Sequence, residues 1–133
     1  MLISTKGRYA LRVMIDLALH SDEGYIPLPL VAERQGISEK YLESIISVLS
    51  KAQLVKGVRG KNGGYMLCRK PEDYTAGEIL RLTEGTLAPV ACLEGKENKC
   101  ERSMDCPTLP LWKKLDGAIE ECLDSVRLSD LIG

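Results

Sequence analysis

Over most of this 133-residue chain, the apolar side chains are spaced as they are on one face of an amphipathic helix. The first such stretch runs from about Ser4 to His20 and carries Lys6, Arg8 and Arg12 in its first half. Cations near a helix N-terminus oppose the helix dipole, so they either serve an anionic partner or form a solvated face. The spacing predicts further helices at residues 29–35, from 38 past 49, at 75–84 and at 109–127.

The second and third predicted helices are joined by a tight turn. Gly36 ends the short helix, whose first position suits Pro29, and Ser38 is a suitable N-cap for the longer one. A short helix, a turn that contains glycine and a longer helix form a helix-turn-helix pattern.

Two short apolar runs, Leu54–Val58 and Tyr65–Cys68, then predict the strands of a hairpin. Its tip, Arg59–Gly64, contains three glycines and the cations Arg59 and Lys61, and it lacks the ending of a Walker phosphate-binding loop. We therefore predict a mainly α fold with a small β-hairpin wing, a winged helix-turn-helix. In such a fold one helix fits the major groove of DNA, and an arginine on the wing can enter the minor groove.

The last predicted helix carries a heptad seam, which makes a dimer a candidate as well as a monomer. The seam residues follow each other at spacings of three and four along two heptads, and they are Trp112, Leu115, Ile119, Cys122 and Val126. An ordinary core-facing helix would show the same pattern. We favour a long dimerisation helix, because readers of palindromic DNA commonly dimerise and so small a domain has little core left. Ser129 is expected to cap a short terminal turn.

The net charge of −1 conceals two halves of opposite sign. Residues 1–70 hold eleven Lys and Arg against six Asp and Glu, a net charge of +5, whereas residues 71–133 hold seven against thirteen, a net charge of −6. This asymmetry is typical of a basic binding part followed by an acidic part. The chain shows no long apolar run and no signal peptide, so we expect a cytoplasmic protein without a membrane partner.

Three of the five cysteines, Cys92, Cys100 and Cys106, lie in the irregular segment 85–107. Thiolates at these spacings can converge on one soft metal centre. An iron-sulfur cluster is favoured over zinc, because zinc normally requires a fourth Cys or His and the single histidine, His20, is remote in sequence. Unliganded reduced thiols remain the alternative. Cys68 and Cys122 are expected to be small buried hydrophobes.

Several motifs together resemble one family of regulators. The motifs are Ser4–Ala10, Gly36–Ser38 followed by Tyr41–Glu43, Val58–Gly60 and Gly63–Tyr65. They resemble the Rrf2 family of winged-helix transcription regulators, and specifically its iron-sulfur cluster-sensing branch. The resemblance implies a homodimer that represses or activates promoters of iron-sulfur assembly and sulfur metabolism genes, at palindromic double-stranded sites, in response to a [2Fe-2S] cluster. A [4Fe-4S] cluster stays open.

The same resemblance assigns roles to individual residues. It makes Cys92, Cys100 and Cys106 the cluster ligands and Arg59 the wing residue that enters the minor groove. The DNA-binding candidates are Lys6, Arg8, Ser38, Lys40, Tyr41, Glu43, Ser44, Arg59, Gly60 and Lys61. Among these, Glu43 can accept a hydrogen bond from a cytosine amine but is repelled by phosphates, so it would make binding selective.

The fourth cluster ligand is open. In the best-known members a histidine follows the last cysteine by three positions, and Leu109 stands there in this chain. Asp105, Glu101, Thr108, a group of the partner chain or a small thiol are the alternatives.

These assignments divide the chain into a DNA-binding part (1–84), a cluster loop (85–107) and a dimerisation helix with a terminal turn (108–133). We expect a repressor and no enzyme. Two other hypotheses stay open. One is a cluster-free repressor of cysteine metabolism that senses sulfur status through a partner enzyme. The other is a small electron carrier or thiol oxidoreductase, which leaves the basic wing unexplained.

Overall fold

The structure is a computed structural model that describes residues 3–94 and 106–132. Within these ranges it contains six α-helices and a two-stranded antiparallel sheet, which confirms the predicted mainly α fold with a hairpin wing. The elements are α1 (Thr5–Leu19), α2 (Leu28–Gln35), α3 (Glu39–Lys51), β1 (Val55–Val58), β2 (Gly64–Leu67), α4 (Ala76–Glu84), α5 (Leu109–Ser125) and α6 (Leu128–Leu131). No helix of the described ranges is long and apolar enough to cross a membrane.

Local capping explains where three of the helices begin. The hydroxyl of Ser4 accepts from the backbone N–H of Gly7 at 3.0 Å, and that of Ser38 accepts from Tyr41 N at 3.1 Å. Thr75 caps α4 in the same way, with its hydroxyl 3.1 Å from the backbone nitrogen of Glu78. Each bond satisfies an amide that the first turn of a helix leaves without a partner.

The core lies where α1 crosses α2, α3 and the hairpin. One face of α1 is fully buried there, and it packs against the apolar face of α3. The residues that these two helices contribute to the hydrophobic core are Ala10, Val13, Met14, Leu17, Ala18, Leu42, Ile45, Ile46 and Leu49. This packing holds α2 and α3 as a rigid helix-turn-helix. The turn needs Gly36, whose φ of 66° lies in the left-handed region that glycine adopts without strain.

The buried phenol of Tyr74 ties the base of the hairpin to α4. Its hydroxyl donates to the carbonyl of Leu54 at 2.6 Å and accepts from the backbone nitrogens of Cys68 and Arg69 at 3.1 and 3.0 Å. Burial raises the pKa of Tyr74, although the bonds from Arg69 and Cys68 work against this, so the phenol keeps its proton at neutral pH and can donate. The wing is therefore anchored at its base by one side chain.

The hairpin is also held by a pair of backbone hydrogen bonds that the sequence did not predict. Ile26 and Tyr65 exchange both backbone hydrogen bonds, at 2.8 and 2.9 Å. A side chain at Gly64 would lie 2.3 Å from the carbonyl oxygen of Ile26, so this close approach requires glycine. The wing thus has a fixed position relative to the start of α2.

α5 stands apart from this core. Within the described ranges Leu109 is its one buried residue. Arg81 of α4 holds Asp124 with two hydrogen bonds of 2.8 and 3.1 Å, and Ala76 N donates to the carbonyl of Val126 at 2.8 Å. The helix ends at Ser125, two residues earlier than predicted, because Val126 is extended to make that backbone contact. Beyond it, the buried Leu128 returns the chain to the core.

Four further expectations need correction. α2 begins at Leu28, so Pro29 occupies its second position. β1 begins at Val55, because Leu54 N bonds to Leu49 O. β2 runs from Gly64 to Leu67, so Cys68 lies outside the strand. Ser129 lies inside α6 and does not cap it; the cap is Arg127, whose backbone nitrogen donates to Asp130 Oδ2 at 2.9 Å.

The predicted burial of Cys68 and Cys122 is also wrong, since both are exposed. Leu67 points into the core, so the alternation of a strand turns the next side chain, Cys68, outwards. Cys122 lies on a face of α5 that the described chain covers only in part. The division of the chain at residues 84 and 107 stays a prediction.

Candidate nucleic-acid interface and cysteine segment

The outer face of α3 presents the side chains that the sequence predicted as base readers. Leu42, Ile45, Ile46 and Leu49 are buried, so the helix can turn only the opposite face to a ligand. Lys40, Glu43 and Ser44 are exposed on that face, and Ser38 is exposed at its cap. Tyr41 is half-buried. The first turn of α3 therefore carries a mixed set of a cation, an anion and hydroxyls, which is suited to hydrogen bonding with base edges.

Arg59, Gly60 and Lys61 form the exposed tip of the wing. They lie between paired strands whose last rung joins Val58 to Gly64. The φ of Gly60 is 113°, a conformation that most side chains would not tolerate. The two cations thus project from a narrow support, the geometry that inserts into a minor groove.

The N-terminal half of α1 adds further cations. Arg8 is exposed and donates to the Thr5 hydroxyl at 3.3 Å, and Lys6 is half-buried. Gly7 between them is buried against the end of α4, where an added Cβ would lie 2.5 Å from the Glu84 carboxylate. Because Gly7 fixes the inner face, Arg8 is directed away from the core.

A polar network inside this half of the molecule was not foreseen from the sequence. Asp16, on the buried face of α1, is 3% exposed and is the buried charged residue of the described ranges. Arg34 binds its carboxylate with two nitrogens, at 3.0 and 2.6 Å, and Gln35 donates to it at 2.9 Å. Gln35 in turn accepts from Arg12 Nε at 2.9 Å. The sequence signal was an aspartate at an apolar position of α1, between Met14 and Leu17.

The pKa of Asp16 reflects these partners. Burial works to raise it, but the hydrogen bonds from Arg34 and Gln35, together with the positive charges of Arg34 and His20, outweigh burial. The pKa of Asp16 therefore lies below its ordinary value, and the carboxylate stays ionised at neutral pH.

Cys92 and Cys106 lie at the two ends of the described chain on either side of residues 95–105, and Cys100 lies outside the described residues. Cys92 sits in a 3₁₀ turn, Ala91–Leu93, and is half-buried. Cys106 is also half-buried, and its sulfur lies 3.3 Å from the hydroxyl of Thr108, the residue that precedes α5. No group of three His, Cys, Asp or Glu ligands occurs within residues 3–94 and 106–132.

Both flanks of residues 92–106, the cysteine segment, are held by buried leucines. Leu87 before it and Leu109 after it are buried. Leu93, next to Cys92, lines a cleft with Asp116 and Glu120 of α5. The turn that carries Cys92 therefore shares a cleft with α5.

The heptad seam of α5 is only partly covered by the described parts of the chain. Leu115 is 40% exposed and Cys122 is exposed, whereas Trp112, Ile119 and Val126 are half-buried. Ile3, Ala118, Ile119, Cys122 and Leu123 line an open, almost wholly apolar groove of about 300 Å³ beside the seam. Little of this face is therefore buried within the described chain, and its use as a dimerisation seam stays a prediction.

Comparisons with known proteins place this geometry in context. Residues 3–133 match the family model Rrf2, which describes an iron-dependent transcriptional regulator. The HTH-type transcriptional regulator IscR of Aliivibrio salmonicida (strain LFI1238) is 42% identical over 132 residues, which cover 99% of this chain and 77% of the relative.

Two solved structures are similar over nearly the whole chain. CymR, the global cysteine regulator of B. subtilis, superposes with a TM-score of 0.81 at 41% identity, over 99% of this chain and 96% of that one. IscR of T. potens superposes with a TM-score of 0.78 at 44% identity, over 99% of this chain and 86% of that one. Regulators with two different names are thus about equally similar to this chain.

Proposed function

This chain belongs to the Rrf2 family of transcriptional regulators, and from this premise we propose that its DNA binding responds to an iron-sulfur cluster held by Cys92, Cys100 and Cys106. The family and the relatives are DNA-binding regulators and not enzymes. The hypothesis of a small electron carrier therefore has no support. The observation that carries the cluster proposal is the set of three cysteines within fifteen residues, between a winged helix and a long helix.

The donor set fits such a cluster. Thiolates are the ligands that iron-sulfur clusters prefer. Cys92 and Cys106 are both half-buried, so their sulfur atoms are neither enclosed in the core nor fully exposed to solvent. Cys106 precedes the N-terminus of the 17-residue α5, and a helix N-terminus stabilises the negative charge that thiolates bring. When bound, the cluster would supply a redox-sensitive centre. The fourth ligand is not assigned, and Thr108 is the candidate whose oxygen lies near a cysteine sulfur.

We favour [2Fe-2S] over [4Fe-4S], because the cluster-sensing branch that the motifs resemble uses the smaller cluster. The target genes would be those of iron-sulfur assembly and sulfur metabolism, with this cytoplasmic protein acting chiefly as a repressor.

A second copy of this chain is the partner that best covers α5. Its seam repeats every seven residues and is open in the single chain, and the same seam on a second copy matches it in length and spacing. A two-fold dimer would present two α3 helices to successive major grooves, which suits palindromic promoter sites.

Anaerobic purification with iron and sulfide analysis tests the cluster directly. The wild type should be coloured and contain about two iron and two sulfide per chain for a [2Fe-2S] cluster. Cys92→Ser should lose the colour and the iron. Cys68→Ser is the matched control, since Cys68 lies outside the cysteine segment and is equally replaceable as an exposed thiol.

A colourless, iron-free wild type would overturn the cluster proposal. If that protein still binds promoter DNA, the alternative stands: a cluster-free regulator of cysteine metabolism with a sulfur-metabolism enzyme as its partner. The similarity to the cysteine regulator of B. subtilis favours this second candidate. Addition of such an enzyme should then change the DNA affinity of the iron-free protein.

A further inference from the structure

We infer that Arg12 contacts the DNA backbone beside α3, and that Gln35 and Asp16 are the positioning residues that hold its guanidinium in place. The inference rests on the proposed function, because it requires that the winged helix binds duplex DNA. It adds to the interface a residue of α1 that lies 23 positions before its partner Gln35 in α2 and reaches α3 only through side-chain contacts.

The buried carboxylate of Asp16 is the fixed point of this arrangement. Arg34 approaches it with Nε and one terminal nitrogen, a two-pronged geometry that leaves little freedom to either side chain. Since Asp16 is ionised, both of its oxygens accept and neither donates. Any third partner must therefore present a donor.

This requirement settles how the Gln35 amide is turned. Its NH₂ group must face Asp16, 2.9 Å away, so its oxygen must face outwards. That oxygen accepts from Arg12 Nε at 2.9 Å. The position of the Arg12 guanidinium is thus set by a carboxylate that it does not touch.

Two aromatic rings complete the support. The guanidinium carbon of Arg12 lies 5.1 Å from the centre of the Tyr9 ring, within the range of a cation–π contact. The Tyr9 ring meets the Tyr41 ring edge-on, with centres 6.1 Å apart. Because Tyr41 belongs to the first turn of α3, Arg12 lies beside the end of the helix that would enter the groove.

Arg12 is left with the donors that a phosphate needs. Its Nε is engaged, and its two terminal nitrogens make no hydrogen bond to any residue of 3–94 or 106–132. Those two nitrogens form a planar fork that matches phosphate oxygens. In helix-turn-helix complexes the first helix of the motif, which is α2 here, crosses the DNA backbone. Arg12 is bonded to Gln35 at the end of α2, so its fork lies where a phosphate could be reached. An ordered fork loses less side-chain freedom on binding than a mobile one.

Duplex binding over a range of salt concentrations tests the inference. The probe is a random-sequence duplex of about 30 base pairs, roughly three helical turns, because a phosphate contact does not depend on sequence. Arg12→Ala should weaken binding about tenfold and lower the slope of log affinity against log salt by about one per protomer. Lys114→Ala, which removes an exposed cation of α5, is the matched control and should change neither quantity appreciably.

Gln35→Ala separates positioning from contact. It leaves the Arg34–Asp16 pair intact, so the fold should be kept, as circular dichroism and thermal unfolding would show. We expect about a threefold loss of affinity with an unchanged salt slope, because the phosphate contact survives but is less ordered. In the Arg12→Ala background the same change should have no effect, since nothing is left to position.

The outcomes are distinguishable. If Arg12→Ala binds with the affinity and slope of Lys114→Ala, Arg12 is not at the interface, although the proposed function stands. If Gln35→Ala costs the same with and without Arg12, its effect is structural and the positioning role is overturned. If the wild type does not bind the duplex even at low salt, the DNA-binding function itself fails.

Discussion

The first and the fifth helices have similar lengths and similar apolar patterns, yet the apolar face of α1 is buried in the fold and that of α5 is only partly covered. α1 buries seven of its fifteen residues, whereas α5 buries one of seventeen within the described ranges. α1 is packed against α2, α3, α4 and β2, and α5 has appreciable contact only with α4. The comparison teaches that apolar periodicity shows that a face will be covered, but not which molecule covers it.

The polar contacts of the two regions differ in the same way. We call the part formed by α1–α4, the hairpin and α6 the body. In the body Asp16 and Tyr74 are buried, and the hydrogen bonds of each side chain join separate elements. The pair that holds α5, Arg81 with Asp124, is 38% and 48% exposed. Exposed ion pairs contribute little, roughly 0 to 1 kcal/mol. Contacts within the described chain therefore hold the body more firmly than they hold α5, and a dimer that fixes the position of α5 stays a prediction.

The largest expected effect comes from truncating a leucine in each region. Leu42→Ala removes a fully buried side chain and should lower the free energy of unfolding by about 3 kcal/mol at any protein concentration. Leu115→Ala should leave the unfolding of the monomer nearly unchanged and weaken the dimer. Urea unfolding at two protein concentrations, with sedimentation of the native proteins, measures both. Equal losses for the two variants, with unchanged sedimentation, would contradict the comparison.

Tyr74→Phe tests the cohesion of the body with the loss of one oxygen atom. The change removes three hydrogen bonds of the Tyr74 hydroxyl. The Leu54 carbonyl and the Cys68 amide still bond to each other at 3.2 Å, whereas the Arg69 amide loses its partner, so we expect a loss of about 1.5 kcal/mol in unfolding free energy. The control is Tyr25→Phe, whose hydroxyl makes no hydrogen bond to a described residue. Tyr74→Phe as stable as this control would show that the phenol does not anchor the wing.

A smaller effect on the free energy of unfolding is expected from Asp16 and Asp124, the two carboxylates whose pKa values are lowered. Asp16→Asn replaces charged by neutral hydrogen bonds and should cost about 1 kcal/mol at neutral pH. Because the pKa of Asp16 is lowered by folding, its contribution is present above the ordinary carboxyl pKa of about 3.9 and is lost as pH falls through the folded value. The difference in unfolding free energy between the wild type and Asp16→Asn should therefore become smaller below about pH 4.

Asp124→Asn is the matched variant in the other region. The hydrogen bond from Arg81 lowers the pKa of Asp124 as well, but this pair is exposed, so its loss should cost only a few tenths of a kcal/mol. Urea unfolding of both variants between about pH 7 and pH 3 makes the comparison. A gap for Asp16→Asn that does not change with pH would show that its charge has no role.

The sequence predicted best what local interactions decide. Ser38 caps α3 through a bond three residues away, as predicted, and Gly36 ends α2 by its own conformational preference. Errors arose where distant contacts decide. Ser129 does not cap α6, because Asp130 and the contact of residues 126–128 with Tyr74 and Ala76 set the start of that helix. The link from Asp16 to Arg12 joins residues of two helices, so periodicity could not reveal it.

The candidate site shows the same limit. The exposure of Lys40, Glu43, Ser44 and Arg59 follows from helical and hairpin periodicity, and the structure agrees. Their contacts with bases stay a prediction. So does the cluster, because Cys100 lies outside the described residues.

The measurement that tests the account most directly is DNA affinity with and without the cluster. The probe is a duplex selected from random sequence by the wild type, and fluorescence anisotropy is recorded anaerobically before and after the iron is removed by a chelator. The two forms of the wild type should differ in affinity by about tenfold, and this difference should vanish in Cys92→Ser. Equal affinities of the two wild-type forms, or a difference that persists in Cys92→Ser, would contradict the claim that the cysteine segment controls DNA binding.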